Sequence, residues 1–202
     1  MHIAALVLAA GRSRRFGPGN KLLADLEGAP VLAHTLAAVT AAGFEQTLVV
    51  TGQDHAAVKN ILQRFRVQIV GCADAEEGMG TSIAAGVAVL APIIDGVAII
   101  PGDMPLLTPQ TLQILLQTFA AHAGHSIVYA ADRDGAQRNP VVWPCAYMPQ
   151  LAALKGDRGA KSLIGAEAIA VRISDANELL DVDNPADLVK AGNIIHARHA
   201  QS

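Results

Sequence analysis

Ile3-Ala4-Ala5-Leu6-Val7-Leu8-Ala9-Ala10-Gly11-Arg12-Ser13-Arg14-Arg15-Phe16-Gly17 joins an unbroken apolar run to a basic loop bounded by glycine, with Lys21 shortly beyond. The run over residues 3–9 is apolar on both alternate sets of side chains. That is the signature of a strand buried on both faces, as parallel strands are. In the loop, Ala10 and Gly11 let the backbone come close to a ligand, and successive N–H groups can form a nest for an anion. Arg12, Arg14, Arg15 and Lys21 repel one another unless a polyanion lies among them. A surface turn with solvated basic residues has the same composition. Placed directly after a first strand, however, glycines and cations together point to a bound triphosphate. The loop is not G-x-G-x-x-G, because only Gly11 and Gly17 are available, and no Gly-Lys-Ser/Thr follows to make a Walker loop.

Outward from this stretch, short apolar runs alternate with segments of helical period. Strands are expected at residues 46–51, 66–70, 97–100, 126–131, 140–143 and 168–173. Helices are expected at 30–42, from an Asp54 cap to 64, at 81–90, and from a Thr108 cap with Pro109 at its first position to about 122. A short helix opens within 156–165, and a last one starts at Asn184-Pro185. The reading is α/β: a Rossmann-like three-layer sandwich whose mostly parallel sheet carries a small antiparallel insertion around residues 126–145. One domain over residues 1–202 fits this length. Ligands in such a sheet lie beyond the carboxyl ends of the strands.

Composition bounds the function. Net charge is −3, which argues against a nucleic-acid partner. No run of apolar residues is long enough for a membrane span, and no basic preface marks residues 3–9 as a signal peptide. Cys72 and Cys145 show neither disulfide nor metal spacing, which suits a reducing cytoplasm. The seven histidines lack ligand spacing and read as solvated or capping, His122 and His125 at a helix end and His196 and His199 in a C-terminal tail.

Two acidic motifs stand at places where chemistry is expected. Pro101-Gly102-Asp103-Met104-Pro105 follows the apolar run 97–100. Its prolines hold the turn more tightly than a helix cap requires, and a carboxylate so presented suits Mg²⁺, which takes few protein ligands. In Leu180-Asp181-Val182-Asp183-Asn184-Pro185 two carboxylates are two residues apart and face one way if the backbone is extended. Asp183 serves equally as a cap for the helix at Pro185. In Glu77-Gly78-Met79-Gly80-Thr81-Ser82, Thr81 or Ser82 reads as a helix cap, and in Gly156-Asp157-Arg158-Gly159-Ala160-Lys161 the same holds for Asp157. Trp143 and Tyr147 suit either a flat ligand or the core.

Taken in order, Leu8-Ala9-Ala10-Gly11-x-Ser13-x-Arg15-Phe16-Gly17, Lys21-Leu22-Leu23, Gly-Met-x-x-Ser at 78–82, Gly-Asp-Met-Pro at 102–105, Asn139-Pro140-Val141, the 156–161 segment and Asp181-x-Asp183-x-Pro185 resemble the MobA-like NTP transferases that act on molybdenum cofactor, and among them the cytidylyltransferases. Asn184 stands where Thr is commoner. The resemblance implies a nucleotidyltransferase that moves CMP from CTP to molybdopterin cofactor and releases pyrophosphate. It implies that Arg15 and Lys21 hold the triphosphate and that Asp103 and Asp183 hold Mg²⁺, with Asp181 in support. Leu8, Ala9, Ala10, Gly11 and Ser13 then line the nucleotide, with Gly78 and Ser82 beside its base. Asn139, Pro140, Asp157, Arg158 and Lys161 face the acceptor, whose terminal phosphate suits Arg158 and Lys161. Ala10, where the guanylyl branch carries Gly, leans toward CTP over another NTP. A molybdoenzyme client follows from the same resemblance.

Three other readings compete. Guanylyl or sugar- and polyol-phosphate transferases share the fold, but their acceptor motifs and longer loops fit this chain less well. An NAD(P)-dependent oxidoreductase would need G-x-G-x-x-G and an acid after the second strand, where Thr51-Gly52-Gln53 stands. A non-catalytic cofactor-binding accessory protein would have no use for Lys21 with an acidic pair.

Overall fold

The computed structural model describes residues 1–11, 13, 15–17, 19–52 and 55–200. Arg12, Arg14 and Asp54, the expected cap of the second helix, lie outside them. In chain order the elements are β1 (Ile3–Ala9), β2 (Asp25–Leu26), β3 (Ala29–Pro30), α1 (Val31–Ala41), β4 (Gln46–Thr51), α2 (His55–Leu62), β5 (Gln68–Gly71), α3 (Met79–Val87), β6 (Gly96–Pro101), α4 (Pro109–Ala121), β7 (Val128–Ala131), β8 (Gln137–Pro144), α5 (Met148–Ala152), β9 (Ile169–Arg172) and α6 (Pro185–His199).

Among the described residues seven strands form one sheet in the order β5-β4-β1-β6-β8-β7-β9, and β2 and β3 form a separate hairpin. β1 lies between β4 and β6, parallel to both, and β4 pairs β5 in parallel. β8 is antiparallel to β6 and to β7, while β7 and β9 are parallel. The mostly parallel sheet with an antiparallel insertion is therefore present. The insertion is the eight-residue β8, longer than the run expected from the sequence.

Burial explains the pattern. Alternate residues of β1 enter different cores: Ala5, Val7 and Ala9 pack with Leu32, Leu36 and Val39 of α1, Val58 of α2 and Leu112, Leu115 and Phe119 of α4. Ala4 and Leu6 pack on the other face with Ile83 and Val87 of α3, Trp143 of β8 and Leu151 of α5. This makes three layers. Gly86 is required for the second contact, since a Cβ there would lie 2.2 Å from a methyl of Leu6. A third cluster joins α6 to the hairpin through Leu26, Val31, Leu106, Val182 and Ala191.

Several local expectations change. Pro30 belongs to β3 and caps α1, which starts at Val31. The helix expected from Thr81 starts at Met79, with Gly78 at the cap position and no side-chain cap, so Thr81 and Ser82 lie inside its first turns. The 156–165 segment forms only a 3₁₀ turn over Ala160–Leu163, capped by the Gly159 backbone rather than by Asp157. His196 and His199 belong to α6 rather than to a tail, and His196 Nε2 lies 2.6 Å from Glu27 Oε2. Trp143 is 1% exposed and meets Tyr147 edge-on at 5.8 Å, so core packing claims both rings. Thr108 caps α4 as expected, its side chain accepting from Thr111 N–H. Among the described residues no helix is long and apolar enough to cross a membrane.

Candidate active site

The chain leaves β1, runs outward through β4 and β5, and returns to β6 on the other side of β1. Loops leaving β1 and β6 diverge at such a reversal and open a crevice beyond the strand ends. There the two exits are sewn together: Gly102 N–H donates to Leu8 O at 2.9 Å, and the Thr35 hydroxyl donates to Gly102 O at 3.0 Å. Glycine is needed for this approach, because a Cβ at 102 would lie 2.9 Å from Leu8 O. Met104, Leu106 and Leu107 are buried just beyond, which anchors the Asp103 turn to the core.

The basic loop is held by short polar links. Ser13, at φ +51°, has its hydroxyl accept from Lys21 N–H at 3.0 Å, and Asn20 Oδ1 accepts from Leu22 N–H at 3.0 Å. These bonds aim Lys21 inward. Its ammonium is paired with Asp103 and lies 2.8 Å from Asp183 Oδ1, with the Lys21 and Asp103 side chains each only 13% exposed. Arg15 is mostly exposed and donates to Asp183 Oδ2 at 3.2 Å.

The second acidic segment is positioned by backbone bonds. Val182 N–H donates to Asp103 O at 2.9 Å, which ties the two motifs together. Asn184, not Asp183, caps α6: its side chain accepts from Ala186 N–H and Asp187 N–H. Asp187 Oδ2 in turn accepts from Asp183 N–H and Asn184 N–H, both at 3.0 Å. The Asp183 side chain is thereby released from capping and turns to Lys21 and Arg15.

Electrostatics follow from this crowding. Burial works against the Lys21 ammonium, but Asp103 and then Asp183 offset it, and its pKa is raised. The hydrogen bond from Lys21 holds the Asp183 carboxyl below the usual aspartate range, despite partial burial. Burial, with the nearby charges of Asp103 and Asp183, pushes Asp181 up to about 7. Asp103 Oδ1 and Asp181 Oδ1 are buried and accept no hydrogen bond. Buried carboxylate oxygens left without a donor are groups that a hard cation would satisfy. Among the described residues no group of three or more His, Cys, Asp or Glu converges to hold a metal. A divalent ion here would therefore rest on few protein ligands and fill its shell with phosphate oxygens and water.

A cavity of about 470 Å³ opens over these groups. Of the residues singled out in the sequence, it is lined by Leu8, Ala10, Gly11, Ser13, Arg15, Lys21, Gly78, Ser82, Asp103, Asn139, Asp157, Asp181 and Asp183. The structure thus brings the first loop, both acidic motifs, the 78–82 turn and parts of the two acceptor-side motifs to one place. Ala9 is buried in the core beneath. Pro140, Arg158 and Lys161 do not line the cavity, and Arg158 and Lys161 are exposed. Leu22, Met79 and Pro101, which belong to the quoted motifs, also line it, as do Ala75 and Glu76, which no motif marked. Such a site can hold a polyphosphate against cations and present carboxylates to a metal.

Comparison with known proteins agrees with this geometry. The MobA-like NTP transferase domain matches residues 5–171. The purine catabolism protein PucB of Bacillus subtilis is 31% identical over 199 residues, covering 92% of this chain and 94% of that protein. The bifunctional protein GlmU of Gloeobacter violaceus is 26% identical across 97% of this chain, which spans only 52% of GlmU. Rv0371c of Mycobacterium tuberculosis superposes with a TM-score of 0.78 at 28% identity, covering 96% of this chain and 99% of its own. A second structure of Rv0371c, in complex with manganese, has the same TM-score at 26% identity and the same coverage. On the family match and the fold, the chain belongs to the MobA-like NTP transferase domain family and is a nucleotidyltransferase.

Proposed function

We propose that residues 1–202 act as a single nucleotidyltransferase domain that moves CMP from CTP to molybdopterin cofactor and releases pyrophosphate. The observation that carries this reading is the Lys21 ammonium held between Asp103 and Asp183 at the foot of the first-loop cavity. It puts a cation for phosphate and a carboxylate pair for metal within one salt-bridge network.

Asp103 and Asp183 would hold the divalent ion, Mg²⁺ by the hardness of its oxygen donors. The manganese-bound form of Rv0371c supports a divalent ion in this role. When bound, the ion supplies charge neutralisation for the phosphates. The chain's residues do the rest. Gly11 and Ser13 bring the loop backbone against the triphosphate, while Arg15 and Lys21 pair with its oxygens and with charge that develops as the α-phosphate changes partners. The acceptor phosphate is already an anion at neutral pH, so positioning replaces a general base. The nucleotide base lies against Gly78 and Ser82, and the Ala10 methyl on the cavity wall favours the smaller pyrimidine. On the acceptor side stand Asn139 and Asp157, with the exposed Arg158 and Lys161, outside the cavity lining, for the acceptor's phosphate. A molybdoenzyme client and a cytoplasmic location belong to the same reading.

The test is pyrophosphate release with each of the four NTPs, Mg²⁺ and molybdopterin, beside sugar and polyol phosphates as acceptors. Release with CTP and molybdopterin is expected, and release only with another acceptor overturns the assignment. Asp103→Ala should lower turnover by about 10³-fold while the circular-dichroism spectrum stays that of the wild type. Retained turnover would remove Asp103 from the site.

A further inference from the structure

Beside the cavity, the 78–82 turn and the 156–159 loop are joined by contacts that neither motif's own sequence requires. Gly80 N–H donates to Gly156 O at 2.8 Å, and Gly156 N–H donates to the Thr81 hydroxyl oxygen at 3.1 Å. The Thr81 hydroxyl donates in turn to Glu77 Oε2 at 3.3 Å, which orients it to accept. The two backbones approach closely: a Cβ at Gly78 would lie 2.4 Å from Asp157 N, and one at Gly80 would lie 2.4 Å from Arg158 O. Gly78, Met79, Ser82 and Asp157 all line the cavity. Thr81 does not cap its helix and does not line the cavity. Its hydroxyl faces the other loop.

We propose that Thr81 is a positioning residue which couples the two segments, so that nucleotide bound against the 78–82 turn orders the 156–159 loop for the acceptor. The inference rests on the reading of the 78–82 turn as the nucleotide side. Backbone bonds alone would let Gly156-Asp157 pivot on the single Gly80–Gly156 link; the Thr81 hydroxyl adds the second point that fixes the peptide's orientation. Ordering one segment then lowers the cost of ordering the other, which is coupling without a large movement. Loss of one such hydrogen bond corresponds to about a 2- to 10-fold change in the coupled affinity.

Amide hydrogen exchange on the full chain, with and without Mg²⁺ and a non-hydrolysable CTP analogue, tests this for wild type, Thr81→Val and Thr81→Ser. In wild type and Thr81→Ser the nucleotide should slow exchange in both 78–82 and 155–160. In Thr81→Val it should slow exchange in 78–82 alone, with the analogue's Kd within about 2-fold of wild type and an acceptor KM raised roughly 2- to 10-fold. Equal protection of 155–160 in Thr81→Val overturns the coupling and leaves the nucleotide site standing. Protection of neither segment in wild type by any NTP analogue overturns the nucleotide reading, and this inference with it. A lowered Tm in Thr81→Val with both segments and both substrates equally weakened would make Thr81 merely structural, and would also overturn the coupling.

Discussion

Lys21 is the residue on which the site turns. Its ammonium balances Asp103 and Asp183, and its backbone is pinned by Ser13, so loop geometry and site charge meet in one side chain. Replacing it by Met leaves two carboxylates facing each other with Asp181 beside them. Breaking a buried pair costs more than the pair contributes, and partial exposure moderates it, so Tm of Lys21→Met should fall by about 3–10 °C without divalent ions. Adding Mn²⁺ should recover most of that fall, since the ion supplies the missing positive charge; thermal melts with Mn²⁺ and with chelator measure it. No recovery would mean that the carboxylates do not bind the ion. The structure also answers which aspartate of 181–185 meets the cations: Asp183 does, whereas Asp181 is buried and pushed up to about 7.

At the scale of elements, α6 acts as a support for the site. Its capping box holds both Asp183 N–H and Asn184 N–H, and its side chains pack on the β2–β3 hairpin beside the first loop. Asn184→Ala should cost about 1 kcal/mol of stability. It should also lower kcat by more than Asn184→Ser, which keeps a capping hydroxyl, because the cap sits one residue from Asp183; kinetics and melts on both variants decide it. At the other end of α6, Arg198 donates to Asp175 Oδ2 at 2.9 Å. Although partial burial opposes it, this contact and the Asn177 N–H hold the Asp175 carboxyl below the usual aspartate value. Its contribution is therefore present above the ordinary aspartate pKa of about 3.9 and is lost as pH falls through and below that value. Tm of Asp175→Asn should lie below wild type at neutral pH, and the gap should close as pH falls through the ordinary aspartate pKa and below it; a constant gap across pH would rule out the ion pair as its cause.

For the whole molecule, the crevice exists because the strand order reverses beside β1. Residues 82 and 162 positions from Lys21 arrive at its ammonium through sheet pairing and the packing of α6. A ligand bound there joins segments from both ends of the chain and should stabilise all of it. CTP with Mg²⁺ at about 100 times its Kd should add about 2.7 kcal/mol, which is a rise of roughly 5–10 °C in Tm. Scanning fluorimetry with the four NTPs measures this, and a larger shift with GTP would turn the nucleotide preference around.

The amino-acid sequence by itself determined the strand at Ile3–Ala9, the glycine-bounded basic loop after it, the Asp103 turn between two prolines and the start of α6 at Pro185, because each is decided by backbone preference and hydrophobic pattern over a few residues. It also marked two acidic motifs, but left open whether Asp183 capped a helix or faced a ligand. Only the tertiary structure decided that Asp183 does not cap: the Asp187 side chain and the Asp103 carbonyl fix the 182–184 backbone, and the Asp183 carboxylate meets Lys21 and Arg15. It likewise decided that Thr81 reaches Gly156 instead of capping α3, and that Trp143 belongs to the core. Such contacts depend on strand order and layer packing, and local spacing holds no record of which distant segment arrives at a given side chain.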